Sequence, residues 1–298
     1  MRIVRTISEM QNISRALKRR GKTIGLVPTM GALHEGHLSL VRQSRRDNDI
    51  TVVSIFVNPI QFGPQEDLAR YPRPFSRDAA LCKKEKVDLI FHPSAEQMYP
   101  PGFRTSVEVA GLGKVLCGVS RPGHFRGVTT VVTKLFHAVG PDNAYFGQKD
   151  CQQAVIVGRM IADLDFPLKI RVVPTVREGD GLAMSSRNIY LDARQRRGSL
   201  ALSRSLKLAR GLVRSGTRDS ATIVRRMKSL INSKKGAKID YVSVVDLQEL
   251  KPVTTVKAGC LIALAVRFGK TRLIDNLILK KGDTSDFKNG KCPHDPEL

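Results

Sequence analysis

Apolar positions return along this chain in two rhythms, one helical and one extended. Over residues 8–19 they recur every three to four positions, with Met10, Ile13 and Leu17 on one face, which predicts a short amphipathic helix. Residues 23–27 then form a short apolar run bounded by Gly21 and Pro28, the mark of a buried strand. Leu38, Leu40 and Val41 begin a second helix that ends near the polar cluster at 45–49. Residues 50–57 are apolar without alternation, as in a parallel sheet covered on both faces. Helices at 78–86 and 128–139 and strands at 87–92, near 143–147 and at 168–173 continue the series. Alternation of strand and helix to about residue 176 predicts an α/β fold with a doubly wound, Rossmann-like parallel sheet. Between 93 and 126 frequent Gly and Pro predict loops with short strands or turns.

Past residue 176 the rhythm changes. Helix-like sequence runs through 194–238, then 239–245 and 260–266 read as alternating strands and 273–279 as a last one. This predicts a smaller C-terminal α+β domain over 177–280, after a nucleotide- and substrate-binding domain at 1–176. Residues 281–298 carry little apolar surface and are expected to form a disordered tail.

Composition narrows the class. With 41% apolar and 26% charged residues, the chain has the balance of a soluble globular protein. No window approaches the roughly 18 apolar residues of a membrane span, and the first residues lack a signal-peptide core, so a cytoplasmic protein with no membrane partner is expected. Five scattered cysteines without a Cys-x-x-Cys spacing argue against a disulfide framework or a structural zinc site. The net charge of +23 suggests polyanionic partners. Over half of it lies in 194–238, where fourteen Lys and Arg face one acid, Asp219. No aromatic residue interrupts that segment, so a stacking platform for single strands is lacking and nucleic acid is not expected as a partner.

Candidate chemistry gathers at ends of predicted strands, where open α/β sheets bind ligands. The turn between the first buried run and its helix reads Pro28-Thr29-Met30-Gly31-Ala32-Leu33-His34-Glu35-Gly36-His37. Exposed amides and the positive end of a helix dipole make such a turn friendly to phosphate, although histidines that only cap the helix would give the same residues. Gln61 follows the second strand in a Pro/Gly loop, either placed to bond a polar substrate or facing water. Residues 121–127, with Arg121, His124 and Arg126 around two glycines, suggest an anion clamp or plain exposed charges. Gly147-Gln148-Lys149-Asp150 repeats the geometry of the first turn, with Gln152 and Gln153 behind it. Met184-Ser185-Ser186-Arg187 offers two hydroxyls beside a guanidinium, suited to phosphate oxygens and to charge developing on a leaving group. No G-x-G-x-x-G or G-x-x-x-x-G-K-[ST] is present, which disfavours ordinary dinucleotide and P-loop sites.

Taken together, the runs 28–37, 56–63, 145–150 and 184–188 resemble the pantoate–β-alanine ligase family of His-x-Gly-His-type nucleotidyltransferases. The likeness extends from near residue 3 to about 280. It implies ATP-dependent condensation of (R)-pantoate with β-alanine, through a pantoyl adenylate, releasing AMP and pyrophosphate. It also implies a C-terminal domain acting as a lid, a Mg²⁺ requirement and a homodimer. Carried to matching positions, Met30, Gly31, Ala32, Leu33, His34, Glu35, Gly36 and His37 would contact ATP. Gly147, Gln148, Lys149, Asp150, Val176, Met184, Ser185, Ser186 and Arg187 would complete that site. Gln61 and Gln153 would bind pantoate; His34, His37, Lys149 and Arg187 would serve catalysis, with His37 as proton donor. Gln148 and Gly179 depart from the family pattern, and the weakly acidic stretch 74–78 leaves the metal ligands unassigned. A tRNA-charging or tRNA-modifying enzyme and a nucleic-acid-binding module are the rival classes; a charging enzyme would need an anticodon-binding domain for which the chain after 187 is too short.

Overall fold

The computed structural model describes residues 1–64 and 66–284. In chain order the first part comprises β1 (Arg2–Val4), α1 (Ile7–Arg19), β2 (Ile24–Thr29), α2 (Glu35–Asp47), β3 (Ile50–Ile55), α3 (Phe75–Lys84), β4 (Leu89–Phe91), α4 (Ala95–Met98), α5 (Cys117–Ser120), α6 (His124–Val139), β5 (Asn143–Gly147), α7 (Cys151–Asp163) and β6 (Lys169–Val173). Then follow α8 (Ala193–Ser199), α9 (Ala201–Arg214), α10 (Ser220–Asn232), β7 (Ala237–Asp246), β8 (Cys260–Phe268), β9 (Thr271–Ile278) and α11 (Lys281–Thr284).

Six strands form one parallel sheet in the order β1-β4-β3-β2-β5-β6. The apolar runs lack alternation because both faces are covered. Ile24, Leu26 and Val52 join a core with α6 and α7, while Val27, Val53 and Ile55 pack on the other side with Leu40, Val41 and Cys82. At Gly25 a Cβ would fall 2.2 Å from Ser44 Oγ, so α2 lies on β2 at a distance only glycine permits. From β2 the chain winds outward through β3 and β4, then returns to lay β5 on the other side of β2. That reversal opens a crevice between the carboxyl ends of β2 and β5, where α/β sheets hold their ligands.

The second sheet is antiparallel, ordered β7-β8-β9, with α9 and α10 on one face. The expected alternation does not hold for β8. Cys260, Ile262, Leu264, Val266 and Phe268 face the helices, but Leu261 and Ala263 also bury themselves against Cys117, Phe125, Cys151 and Ile156 of the first domain. A strand pressed between a helix layer and another domain has almost no wet face, and the one exposed position of β8 is Arg267 near its end.

Of the loops with short strands or turns expected at 93–126, the loops and turns form, some of them helical, and the strands do not. One further expectation differs. The expected tail begins with a helical turn, α11, whose buried Asp283 meets Arg210 (3.6 Å) and Arg214 (3.1 Å); the remainder, 285–298, lies outside the described residues. Among the described residues no helix is long and apolar enough to cross a membrane.

Candidate active site

The β2–α2 turn is built around a left-handed bend. Gly31 has φ +81° and Ala32 φ +50°, which points the amides of Ala32 and Leu33 the same way. Both donate to Asp78 on α3, at 2.8 Å each. Asp78 is buried; burial pushes its carboxyl up, and the two amide bonds hold it down. Sequence reading missed this residue because it stands 46 positions from its partner.

His34 is the N-cap of α2. Its Nδ1 accepts from the Gly36 amide at 3.2 Å, and His37 Nδ1 accepts from the His34 amide at 3.4 Å. The rings lie 4.1 Å apart. A Cβ on Gly36 would sit 2.9 Å from His34 Cε1, so glycine makes room for the ring. Both readings of the turn therefore hold at once: the histidines cap the helix, and they line the crevice. Because each Nδ1 accepts, the hydrogen-bond network assigns the proton of each neutral ring to Nε2. Burial, aided by the Lys149 charge, lowers His34 to about 4. Burial first, then His34 and Lys149, hold His37 well below 6.5. At neutral pH both rings are uncharged.

Gln61 does not face water. It is buried; its Oε1 accepts from Asn58 Nδ2 (2.9 Å), and its Nε2 reaches Met30 Sδ (3.1 Å). Asn58 also donates to the Gly127 carbonyl (3.0 Å) and accepts from Tyr99 (2.7 Å). At Gly127 a Cβ would meet Ile60 O at 2.5 Å, so this glycine lets α6 press on the Gln61 loop. His124 Nδ1 donates to the Gln61 carbonyl (2.8 Å) while its Nε2 accepts from Arg121 (2.9 Å); burial and the Arg121 charge lower His124 to about 4. Of the residues suggested as an anion clamp at 121–127, Arg121 and His124 line the crevice. Arg121 is held by Glu66, with two contacts of 2.6 Å, and Arg126 is exposed.

Across the crevice, Lys149 stands beside Asp150, 3.7 Å away, and Gln153 also lines the wall. Gln148 turns away to Asn276 of β9 (3.3 Å), whose Nδ2 in turn donates to the carbonyls of Gln148 (2.8 Å) and Lys149 (2.9 Å). Ser185 caps the turn that carries Arg187, and Met184 bonds the Val176 carbonyl at 3.0 Å. Arg187 reaches Asp67 (3.0 and 3.2 Å) and lies 6.0 Å over Tyr71. Burial alone would raise the Asp67 carboxyl, but Arg187 outweighs it and holds it low.

Of the residues singled out from sequence, Met30, His34, Gly36, His37, Gln61, Arg121, His124, Gly147, Lys149, Asp150, Gln153, Val176 and 184–187 line one crevice. Gly31, Ala32, Leu33, Glu35 and Gln148 do not. Leu33 is a core residue and Glu35 pairs with Arg42 on the surface of α2. Sequence reading also passed over the apolar wall of Leu40, Phe56, Val128, Val131, Val132 and Leu135, opposite the polar groups. On α6 that face was legible as inward-pointing, but helical periodicity does not separate a core from a cavity wall.

Residues 2–278 match the family model described as pantoate-beta-alanine ligase. A pantothenate synthetase of Moorella thermoacetica is 54% identical over 283 residues, 95% of this chain and 100% of that protein. One of Thermotoga neapolitana is 56% identical over 279 residues, 94% and 100% of the two chains. The crystal structure of pantothenate synthetase from Thermus thermophilus superposes with TM-score 0.89 at 46% identity, covering 94% of this chain and 100% of that one. That of the pantoate-beta-alanine ligase of Francisella tularensis, complexed with beta-gamma ATP and beta-alanine, gives 0.78 at 35% identity, with 93% and 97% covered.

Proposed function

Since the chain belongs to the pantoate-beta-alanine ligase family, we propose that its crevice runs that family's reaction with the residues described above. The enzyme condenses (R)-pantoate with β-alanine at the expense of ATP, forming pantothenate, AMP and pyrophosphate. In the first half-reaction the pantoate carboxylate attacks the α-phosphate and pyrophosphate leaves. In the second, the β-alanine amine attacks the carbonyl of the pantoyl adenylate and AMP leaves.

The observation that carries this assignment is the donor set around one crevice. Two neutral imidazoles offer Nε2–H from one side, and Lys149 and Arg187 offer positive charge from the other. Fixed donors aimed where negative charge develops stabilise the transition state without reorganising. The role read from sequence for His37, proton donor, narrows accordingly: a ring that is neutral at pH 7 donates a hydrogen bond from Nε2 and keeps its proton. The backbone at Met30, with Gly147 and Val176, would cradle the nucleotide, and Ser185 and Ser186 would bond phosphate oxygens. Arg187 exchanges the Asp67 carboxylate for the triphosphate when ATP arrives, since a like anion takes the same guanidinium edge.

Gln61 and Gln153 present amides to a hydroxyl and a carboxylate, while the Val128, Val131, Val132 and Leu135 wall suits the branched, apolar carbon of pantoate. No protein nucleophile is required, because the adenylate is itself the activated species; the remaining task is to orient two substrates and exclude water. Among the described residues no group of three His, Cys, Asp or Glu forms a metal cage. Mg²⁺ that travels on the triphosphate needs only one or two carboxylates, and Asp150, the acid that lines the crevice, would hold it and help neutralise phosphate charge. The reading extends to domains meeting near residue 176 with the smaller one as lid, and to a homodimer in the cytoplasm.

One assay tests the whole reading. ATP, pantoate and β-alanine should yield AMP and pantothenate together, and ATP with pantoate alone should exchange labelled pyrophosphate. AMP formation that required tRNA would overturn it in favour of the tRNA-charging class.

A further inference from the structure

The outer layer of the C-terminal domain carries charge that neither its packing nor the crevice uses. α9 turns Leu202, Leu206, Ala209 and Val213 inward, and α10 turns in Ile223, Met227 and Ile231. The opposite sides of these helices expose Arg204, Lys207, Arg210 and Arg214, then Arg225, Arg226 and Lys228, and α8 leads into them with exposed Arg194 and Arg197. Arg194 and Arg197, Arg204 and Lys207, Lys207 and Arg210, and Arg225 and Lys228 stand three apart, where like charges repel. Of these, Arg210 and Arg214 are paired with Asp283, while Asp219 is taken up in capping α10. Among the described residues Arg204, Lys207, Arg226 and Lys228 have no carboxylate partner.

We propose that this two-helix face binds the phosphate backbone of double-stranded nucleic acid, without regard to sequence. Each helix is about 20 Å long, and a duplex carries one charge per about 1.7 Å of axis, so the face meets many phosphates at once. Nine of the fourteen basic residues in 194–238 are arginines, whose planar fork suits phosphate better than an ammonium does. The absence of aromatic residues there, which argues against single strands, does not count against a duplex whose bases are already stacked. No large apolar side chain is exposed in this segment among the described residues, so nothing would anchor it in a lipid surface. The face lies across the three-stranded sheet from the first domain, which separates this binding from the ligase chemistry.

The test is anisotropy of fluorescein-labelled DNA and RNA duplexes of about 20 base pairs, titrated with full-length protein from about 50 to 200 mM KCl. Binding of either duplex should weaken linearly in log K against log salt. The fourfold variant Arg204→Gln/Lys207→Gln/Arg225→Gln/Lys228→Gln should bind at least about tenfold more weakly, with a salt slope flatter by about 0.9 for each DNA phosphate no longer neutralised. Removal of equal charge elsewhere, by Arg19→Gln/Arg20→Gln/Lys83→Gln/Lys84→Gln, should change affinity less than about twofold. Ligase rate reports that both variants fold; should the fourfold variant fail, Arg204→Gln/Lys207→Gln asks the same question. Equal weakening by both fourfold variants, no binding of either duplex at low salt, or binding of phosphatidylserine vesicles alone would overturn the proposal.

Discussion

The two strand-to-helix turns that flank the crevice look alike in sequence and are built on opposite principles. The turn after β2 is closed upon its own domain: His34 and His37 together cap α2, and Asp78 pins its amides. The turn after β5 is charged and has no side-chain cap. Two of its carbonyls are held instead by Asn276, which arrives from the other domain. One turn thus supplies fixed dipoles and the other a cation whose placement depends on domain docking. A site that must stabilise transient charge gains from having one wall fixed within its own domain and one held from the C-terminal sheet.

The largest effect should come from unpinning the rigid turn. Asp78→Ala leaves two buried amides without an acceptor and should lower stability by about 3 kcal/mol, seen as a drop in the urea midpoint, with adenylation lost as well. An unchanged midpoint would mean the turn holds itself, and the contrast would collapse. Next come the donors. His37→Ala and Lys149→Ala should each slow pantoate-dependent pyrophosphate release by about 10²-fold or more, a few kcal/mol in the barrier. Only the second should be partly restored by a substitution that keeps charge, Lys149→Arg. Near wild-type release by either alanine variant would defeat its role.

Asn276→Ala should cost less, about tenfold in kcat/KM, because two hydrogen bonds of roughly 1 kcal/mol hold the second turn. Thermal unfolding should move little, which separates a positioning role from a structural one. The smallest effect is on pH. His34 has its pKa lowered from 6.5 to about 4 in the fold, so between those values the unfolded chain takes up a proton that the native chain refuses. Its contribution to stability is complete above pH 6.5 and is lost as pH falls toward 4. His37 and His124 act in the same direction. Urea midpoints should therefore fall from pH 7 to pH 5, and His34→Gln should fall less; parallel declines would show that the ring is not held neutral.

Local chemistry was legible in the sequence and distant chemistry was not. The two histidines, Lys149 and the Ser185-Ser186-Arg187 turn announce themselves through neighbours within a few residues, as do the buried strands through their unbroken apolar runs. Asp78, Asn276, Asp67 and His124 act through partners 46, 128, 120 and 63 positions away, and no periodicity encodes such pairings. A contiguous motif also overstates its own reach. Leu33 and Glu35 lie inside the His-x-Gly-His run, yet the turn before α2 sends one into the core and the helix brings the other to Arg42. The alternation expected of β8 failed for a related reason, since the second surface that covers it belongs to another domain.

Asn276 also sets an order of events in the life of the chain. During synthesis the N-terminal domain folds first, and by the time α3 has emerged Asp78 can already fix the histidine turn. The carbonyls of Gln148 and Lys149 must wait for β9, near the end of the described chain, before they find their donor. A nascent or truncated chain could thus hold a nucleotide long before it could use one, and competence to react arrives almost with the last strand.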